Sequence, residues 1–200
     1  MSHSSEKFKP VRLSPPKKKE KTPKEEFVSW IISLVAAVAV ALALRFFVFD
    51  FVVVEQSSME DTLFTGEWLF LEKVTYDFND PNEGDIIVCY FDEGKNNIFY
   101  DFIKHRKNYV KRVIGVSGDT VEIREGVTYV NGEAVDEPYL REPEIGTLEP
   151  TVVPEDSVFV MGDNRNNSFD SRVIGSIPYD RIRGRVLFRA WPFTKFGKIG

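Results

Sequence analysis

Residues 109–115 read Tyr-Val-Lys-Arg-Val-Ile-Gly, and their β-branched and aromatic side chains predict a β-strand. Side chains alternate between the faces of a strand, so Lys111 shares a face with Tyr109 and Val113. These apolar neighbours would shield the Lys111 amine from water. Desolvation lowers the pKa of the ammonium, so that the neutral amine could accept a proton. Taken alone, the spacing favours an ordinary exposed lysine at a sheet edge. Arg112 points the other way and stays charged, so we expect it to form an ion pair.

Further short segments with a period of two surround this strand, and turn residues separate them. The dipeptide Asn131-Gly132 between two of them indicates a two-residue hairpin. No segment beyond residue 50 shows a convincing helical period. The sequence predicts a mostly β body over residues 50–200, with a hairpin and loop insert at about 120–156 that is loop-rich from about residue 137. The predicted strands are residues 51–54, 85–91, 109–116, 120–124, 127–130, 157–161 and 185–191.

Residues 27–44 read FVSWIISLVAAVAVALAL, eighteen residues without a charged side chain. As an α-helix they would span about 27 Å, close to the thickness of a bilayer core. We therefore predict a single transmembrane anchor over residues 27–49, whose last residues reach the outer interface. A cleaved secretory signal is the alternative, because A-x-A patterns begin at Ala37 and Ala41. The run is longer than a signal-peptide core, however, and alanines inside a helix would hide the scissile bonds.

The N-terminal tail is basic, whereas the chain as a whole is acidic. Residues 1–26 hold eight Lys or Arg and four Glu, and the whole chain has a net charge of −5. With several prolines and no apolar period, this tail is expected to be disordered. A basic tail could bind nucleic acid, but basic residues before a membrane segment place the N-terminus in the cytoplasm. We expect the body on the export side of the cell membrane, in contact with the lipid bilayer and with no nucleic acid.

Ser58 follows an apolar strand and is the candidate nucleophile, but a serine alcohol needs a base aligned with it. The chain has two histidines, His3 in the tail and His105 in a cationic loop, and no G-x-S-x-G elbow that would support a Ser-His-Asp triad. The remaining route is a serine–lysine dyad with Lys111 as the base. Two histidines cannot build an H-E-x-x-H zinc site. The one cysteine, Cys89, allows no Cys-based zinc site and is predicted to be buried.

Three segments of the chain resemble the ordered motifs of type I signal peptidases, and the resemblance extends over about residues 27 to 193. They are residues 57–63 (Ser-Ser-Met-Glu-Asp-Thr-Leu), residues 109–115, and residues 162–172 (Gly-Asp-Asn-Arg-Asn-Asn-Ser-Phe-Asp-Ser-Arg). The resemblance implies an antiparallel β-sheet catalytic domain behind one transmembrane helix. It implies a serine endopeptidase that removes signal peptides from exported preproteins after an A-x-A-like site. The implied partners are preprotein signal peptides, and the export machinery is a further possible partner. No cofactor or metal is implied.

The resemblance also assigns roles to single residues. Ser58 would attack the peptide bond, and Lys111 would be the general base. Ser168 matches the serine that hydrogen-bonds the lysine and holds its amine toward the nucleophile. Met59 is expected to pack beneath the site, which is also what an ordinary core methionine would do.

The polar segment 162–172 is expected to brace these residues. Asp170 and Arg172 match the family pair with this role, and their charges allow a salt bridge. Asp163 and Arg165 are expected to add further bracing. Asn and Asp side chains could instead bind calcium, but the EF-hand pattern is absent.

Two positions near Ser58 depart from the family pattern. Gln56 stands where a serine often helps the oxyanion hole, so the main-chain amide of Ser58 would donate with Gln56 as a second donor. Asp61 stands where a proline is usual and brings a carboxylate near the nucleophile. These changes leave two alternatives open: a catalytically impaired paralogue that acts as an anchored binding domain, and a peptidase dedicated to a pilin-type precursor.

Overall fold

The computed structural model describes residues 22–91 and 107–199. Its first element is helix α1, Pro23–Phe47, which has no buried residue. A capping box begins this helix, because the Glu25 amide donates to Thr22 Oγ1 at 3.4 Å and the Thr22 amide donates to Glu25 Oε2 at 2.8 Å. Within the described ranges, α1 is the one helix that is long and apolar enough to cross a membrane.

The boundaries of α1 differ from those of the predicted anchor at both ends. The helix begins at Pro23, inside the segment predicted to be disordered, because the capping box extends it beyond the apolar run. It ends at Phe47 and not at residue 49, because Phe49 pairs with Glu72 in a strand. Residues 1–21, which make up most of the predicted tail, lie outside the described residues.

Beyond α1 the described chain is mostly β, with eleven strands in two antiparallel sheets. This architecture confirms the predicted fold class. In chain order the strands are β1 (Phe49–Val53), β2 (Trp68–Glu72), β3 (Ile86–Cys89), β4 (Tyr109–Gly115), β5 (Thr120–Arg124), β6 (Val127–Val130), β7 (Glu133–Ala134), β8 (Leu148–Val152), β9 (Ser157–Met161), β10 (Ile177–Pro178) and β11 (Ile182–Trp191).

The larger sheet has seven strands in the order β1-β2-β11-β3-β4-β9-β10. β4 is an interior strand between β3 and β9, with Lys111 opposite Ile87 and Arg112 opposite Met161. Lys111 is therefore not an exposed lysine at a sheet edge. Backbone pairing on both sides fixes the position of its Cα atom.

The smaller sheet has the order β7-β6-β5-β8. Asn131 and Gly132 join β6 to β7 with φ angles of 52° and 82°, the left-handed conformation that a tight hairpin requires, as predicted. β8 contradicts the prediction that the insert is loop-rich from residue 137, because residues 148–152 pair with β5. Pro150 interrupts the strand signal there, and an edge strand tolerates proline because one side of its backbone is unpaired.

Short helical elements in the body were not predicted, because they are shorter than one amphipathic period. They are α2 (Thr75–Phe78), α3 (Ser171–Ile174) and several 3-10 turns, including Ser57–Met59 and Arg165–Asn167.

A shared hydrophobic core joins the two sheets. Ile114 of β4, Val121 of β5 and Phe159 of β9 belong to one buried cluster. Each large apolar side chain buried in this way contributes about 1.5–3 kcal/mol to folding. This packing makes β4 and β9 a rigid base for the polar side chains described next.

Candidate active site

The structure brings Ser58 and Lys111 into direct contact. Ser58 lies in the 3-10 turn Ser57–Met59, and Lys111 lies at the centre of β4. The Lys111 Nζ is 2.6 Å from the Ser58 Oγ, and the two residues are 0% and 6% exposed. A neutral amine at this distance can accept the hydroxyl proton.

Burial lowers the pKa of Lys111 to about 8. The carboxylates of Asp170 and Asp163 oppose this change, whereas the guanidinium of Arg172 adds to it. Near pH 8 a large fraction of the Lys111 amine is therefore neutral. An ordinary lysine, with a pKa of about 10.4, would be almost wholly protonated at that pH.

Ser168 contacts the lysine amine from a second side, with its Oγ 3.1 Å from the Lys111 Nζ. It follows the 3-10 turn Arg165–Asn167 and has an extended backbone. Gly162 packs against this serine so closely that a Cβ atom there would overlap the Ser168 Oγ and the carbonyl oxygen of Ser58. Glycine at position 162 therefore allows the chain segments of Ser58 and Ser168 to approach each other.

Asp170 and Arg172 form the salt bridge that their charges predicted. Arg172 donates from Nε and Nη2 to the two carboxylate oxygens of Asp170, at 2.8 and 2.7 Å. Asp170 is fully buried and also accepts a hydrogen bond from the Gly162 amide at 3.0 Å. Burial acts to raise the pKa of Asp170, but the hydrogen bonds and charge of Arg172 bring it below its ordinary value. Asp170 is therefore ionised and links Arg172 to Gly162, which packs against Ser168.

Arg112 lies on the opposite face of β4 and forms the expected ion pair. Its Nε and Nη2 donate to the two carboxylate oxygens of Asp163 at 2.9 and 2.7 Å. Thr62 Oγ1 donates to the same carboxylate at 2.6 Å, and the Arg112 guanidinium stacks on the Tyr139 ring. These contacts tie the segment that follows Ser58 to β4.

Sequence reasoning missed two buried carboxylates that hold the arginines of segment 162–172. Arg165 donates from its two Nη atoms to Glu137 at 2.5 and 3.1 Å. Arg172 Nη1 donates to Glu144 at 2.6 Å. Each glutamate is 28 residues from its arginine along the chain. No local sequence pattern marks such a pair, because only the folding of the small sheet brings the residues together.

The chemistry that these side chains offer is nucleophilic attack with proton transfer. Ser58 and Lys111 supply the two reacting groups in a site that is largely closed to water. Among the described residues, no group of three or more His, Cys, Asp or Glu could hold a metal ion. His105, the other base considered from the sequence, lies outside the described residues.

A family model described as "Signal peptidase, peptidase S26" matches residues 27–191. The chain belongs to this family. "Probable signal peptidase I-1" of Synechocystis sp. is 42% identical over 167 residues, which cover 84% of this chain and 84% of the relative. "Probable signal peptidase I-2" of the same organism is 38% identical over 184 residues, which cover 92% of this chain and 82% of the relative. A crystal structure of a signal peptidase I from Enterococcus faecalis V583 is 28% identical and covers 54% of this chain and 97% of that chain, with a TM-score of 0.44.

Membership of the signal peptidase family confirms the resemblance seen in the three sequence motifs, and with it the predicted enzyme class, a serine peptidase. Met59 lies within a buried hydrophobic cluster, with 1% of its surface exposed. The Nε2 atom of Gln56 is buried and has no hydrogen-bond partner in the part of the chain that the structure describes. Leaving a buried donor unpaired is costly for stability.

Asp61, the second departure from the signal peptidase pattern, has a φ of 81°. Proline cannot adopt this angle because its ring fixes φ near −65°. The backbone after Ser58 therefore differs locally from that of a relative with proline here. The Asp61 carboxylate is 3.5 Å from the Arg141 guanidinium in a largely exposed ion pair, and such a pair contributes little stability.

Proposed function

We propose that this chain is a membrane-bound signal peptidase I that removes N-terminal signal peptides from exported preproteins, with Ser58 as nucleophile and Lys111 as general base. The observation that carries the proposal is the 2.6 Å contact between the Ser58 hydroxyl and a fully buried lysine amine. Burying an amine beside a hydroxyl, with no carboxylate of the described residues in direct contact, has a large cost for stability that a catalytic role explains. The relatives named signal peptidase I supply the substrate class.

In the proposed mechanism, Ser58 Oγ attacks the scissile carbonyl carbon while Lys111 Nζ accepts the hydroxyl proton. The Lys111 ammonium then gives this proton to the leaving amine, and the signal peptide remains as an ester on Ser58. Water, deprotonated by the neutral Lys111, hydrolyses the ester. Ser168 keeps the amine directed toward Ser58 throughout, because its Oγ is 3.1 Å from Nζ.

The negative charge that develops on the carbonyl oxygen needs hydrogen-bond donors. We propose the main-chain amide of Ser58 as one donor and the side chain of Gln56 as the second. The support for Gln56 is its buried Nε2 atom without a hydrogen-bond partner among the described residues. A donor that is already desolvated loses no bond to water when the oxyanion forms.

Cleavage after an A-x-A site is proposed to depend on shallow pockets that accept small side chains. An extended substrate would add to an outer strand of the larger sheet, and its main chain would supply most of the hydrogen bonds. The outer strands are β1 and β10. β1 leads directly into the turn that carries Ser58, so a peptide bound along it would pass close to the nucleophile.

We place the protein in the cell membrane, with one pass through the bilayer. The basic tail before α1 would be cytoplasmic, α1 would be the anchor, and residues 50–200 would form the catalytic domain outside. The support is the uncharged run of residues 27–44 within α1 and the charge of the tail. Phe46 and Phe47, at the end of the helix, are exposed and suit the interface between lipid and water.

The direct test is cleavage of a preprotein with an A-x-A site by the full chain in detergent. We expect the wild-type protein to cut once, after the second alanine, and Ser58→Ala to leave the preprotein intact. Ser57→Ala is the matched control, because Ser57 Oγ accepts a hydrogen bond from Asn167 at 2.9 Å and should not be the nucleophile. Mass spectrometry of both products identifies the bond.

Three other outcomes would change the assignment. Binding of preproteins without cleavage by the wild-type protein would favour an impaired paralogue. Cleavage of a pilin-type precursor alone would favour a dedicated peptidase. Undiminished cleavage by Ser58→Ala would rule out the proposed nucleophile.

The pH dependence of cleavage is expected to follow the protonation of Lys111. Only the neutral amine accepts a proton, so kcat/KM should rise about tenfold per pH unit and level off above about pH 8. The sign follows from the pKa of Lys111, which burial moves down to about 8 from 10.5. The profile can be measured between about pH 6 and pH 10 with a peptide substrate. A rise centred near pH 6.5 would point to a histidine instead.

A further inference from the structure

We propose that Glu144, in the connection between β7 and β8, is a positioning residue for the Ser58–Lys111 pair and acts through Arg172 and Asp170. The inference rests on the proposed function, because it concerns the geometry of the same site. Glu144 is outside the three sequence motifs and lies in a connection between two strands of the smaller sheet. Its assigned task is to hold Arg172 in the one orientation that supports Asp170.

Arg172 lies between two buried carboxylates. Its Nη1 donates to Glu144 Oε1 at 2.6 Å, and its Nη2 donates to Asp170 Oδ2 at 2.7 Å. Glu144 is 7% exposed and Asp170 is 0% exposed. Asp170 in turn accepts a hydrogen bond from the Gly162 amide at 3.0 Å, and Gly162 packs directly against Ser168, whose Oγ contacts the Lys111 amine. A continuous series of contacts therefore leads from Glu144 through Arg172, Asp170 and Gly162 to Ser168 and the reacting amine.

Glu144 also lies near a second arginine. Its Oε2 is 3.7 Å from Arg165 Nη1 and makes no hydrogen bond with any described residue. Arg165 and Arg172 bracket the segment that contains Ser168, and Arg172 Nη2 donates to the Arg165 carbonyl at 2.8 Å. One carboxylate close to both arginines therefore fixes the two ends of the segment that carries Ser168.

The burial of this cluster is better explained by geometry than by stability. Charged groups lose their hydration when buried, so replacing a buried ion pair with apolar residues is often neutral for stability. A fixed set of ion pairs does define one arrangement of the chain around them. In this protein the ion pairs would fix the position of Ser168, whose Oγ must stay within hydrogen-bond distance of the Lys111 Nζ.

Glu144→Gln tests the proposal with little change in shape. We expect kcat for preprotein cleavage to fall about tenfold, while KM stays within about twofold, because the chemistry is affected and substrate binding is not. Glu142→Gln is the matched control, since Glu142 is exposed and only two residues away, and it should match the wild-type protein. Unchanged kcat in Glu144→Gln, or a loss that appears in KM alone, would overturn the proposal.

A double-mutant cycle with Arg172→Lys tests the route of the effect. If Glu144 acts through Arg172, adding Glu144→Gln to Arg172→Lys should lower kcat by less than about twofold. A full tenfold further loss would show that Glu144 acts by another route and would overturn the proposal.

An NMR measurement on protein with ¹³C-labelled lysine side chains separates this proposal from the proposed function, because it needs no substrate. The Lys111 side-chain resonance should move in Glu144→Gln and should not move in Glu142→Gln. A Lys111 resonance unmoved by Glu144→Gln would contradict the positioning role even if cleavage were confirmed. A moved resonance in a protein that cleaves nothing would support the role and refute the proposed function alone.

Discussion

Lys111→Met should abolish preprotein cleavage and raise the thermal stability of the protein at pH 7. Cleavage should fall about 10³-fold or more, because the variant has no group to take the Ser58 proton and the two residues act as a unit. Methionine is unbranched and fills much of the volume of the lysine side chain. The core around position 111 should therefore remain packed.

The expected gain in stability follows from the pKa of Lys111. A value of about 8 in the folded protein, against 10.5 for an ordinary lysine, means that the unfolded chain binds the proton more tightly. This difference lowers the free energy of unfolding by about 3 kcal/mol below pH 8, and the loss disappears as the pH rises to about 10.5. Methionine removes the loss but leaves two hydroxyls without the amine, at a cost of about 1 kcal/mol. The net gain should raise Tm by about 4–8 °C at pH 7.

Thermal unfolding of both proteins at pH 7 and at about pH 10 measures this effect. The advantage of Lys111→Met should shrink at the higher pH, where the wild-type amine is neutral in both states. Lys198→Met is the control, because Lys198 is exposed and should change neither Tm nor cleavage. A Tm of Lys111→Met below that of the wild-type protein at pH 7 would mean that the buried amine is stabilising.

Gly162→Ala should lower cleavage about 100-fold, because displacement of catalytic groups by about 1 Å has effects of this size. The added methyl group would overlap the carbonyl oxygen of Ser58 and the Oγ of Ser168, so the two segments must move apart. Overpacking of this kind also costs about 1–3 kcal/mol of stability.

Gly118→Ala separates the two effects of Gly162→Ala. Gly118 has a φ of 88° and open space around its Cα, so alanine there is strained but touches nothing in the site. It should lose about 1 kcal/mol of stability and keep its activity. A Gly162→Ala variant as active as Gly118→Ala would show that the close approach at Gly162 is not required for cleavage. Peptide kinetics and thermal unfolding on the three proteins give the comparison.

Local patterns in the sequence predicted the parts of the fold that local chemistry determines. β4 was predicted from its β-branched residues, and the turn between β6 and β7 from Asn131-Gly132, whose positive φ angles few other dipeptides adopt. The side-chain alternation of β4 placed Lys111 and Arg112 on opposite faces. The family motifs supplied what alternation could not, namely that Ser58 and Ser168 are the groups that contact Lys111.

Features that depend on tertiary contacts were missed. β2 was not predicted, although it is the partner of both β1 and β11. Glu137 and Glu144 carry no local signal, because ion pairs across 28 residues form only after the small sheet has folded. The early start of α1 depends on a capping box that lies outside the apolar run. Strand pairing and the ion pairs depend on residues distant in sequence, and the start of α1 depends on polar side chains that an apolar period does not detect.

The full burial of Cys89 gives this protein a practical use in labelling. Cys89 is the one cysteine of the chain and is 0% exposed, and burial raises the pKa of its thiol to about 12. Maleimides react with the thiolate, so the native chain should be almost inert to them. A cysteine introduced at Glu133, an exposed residue of β7, would then be the sole reactive thiol. Its reaction with a membrane-impermeant maleimide on intact cells would report on which side of the bilayer the folded body lies.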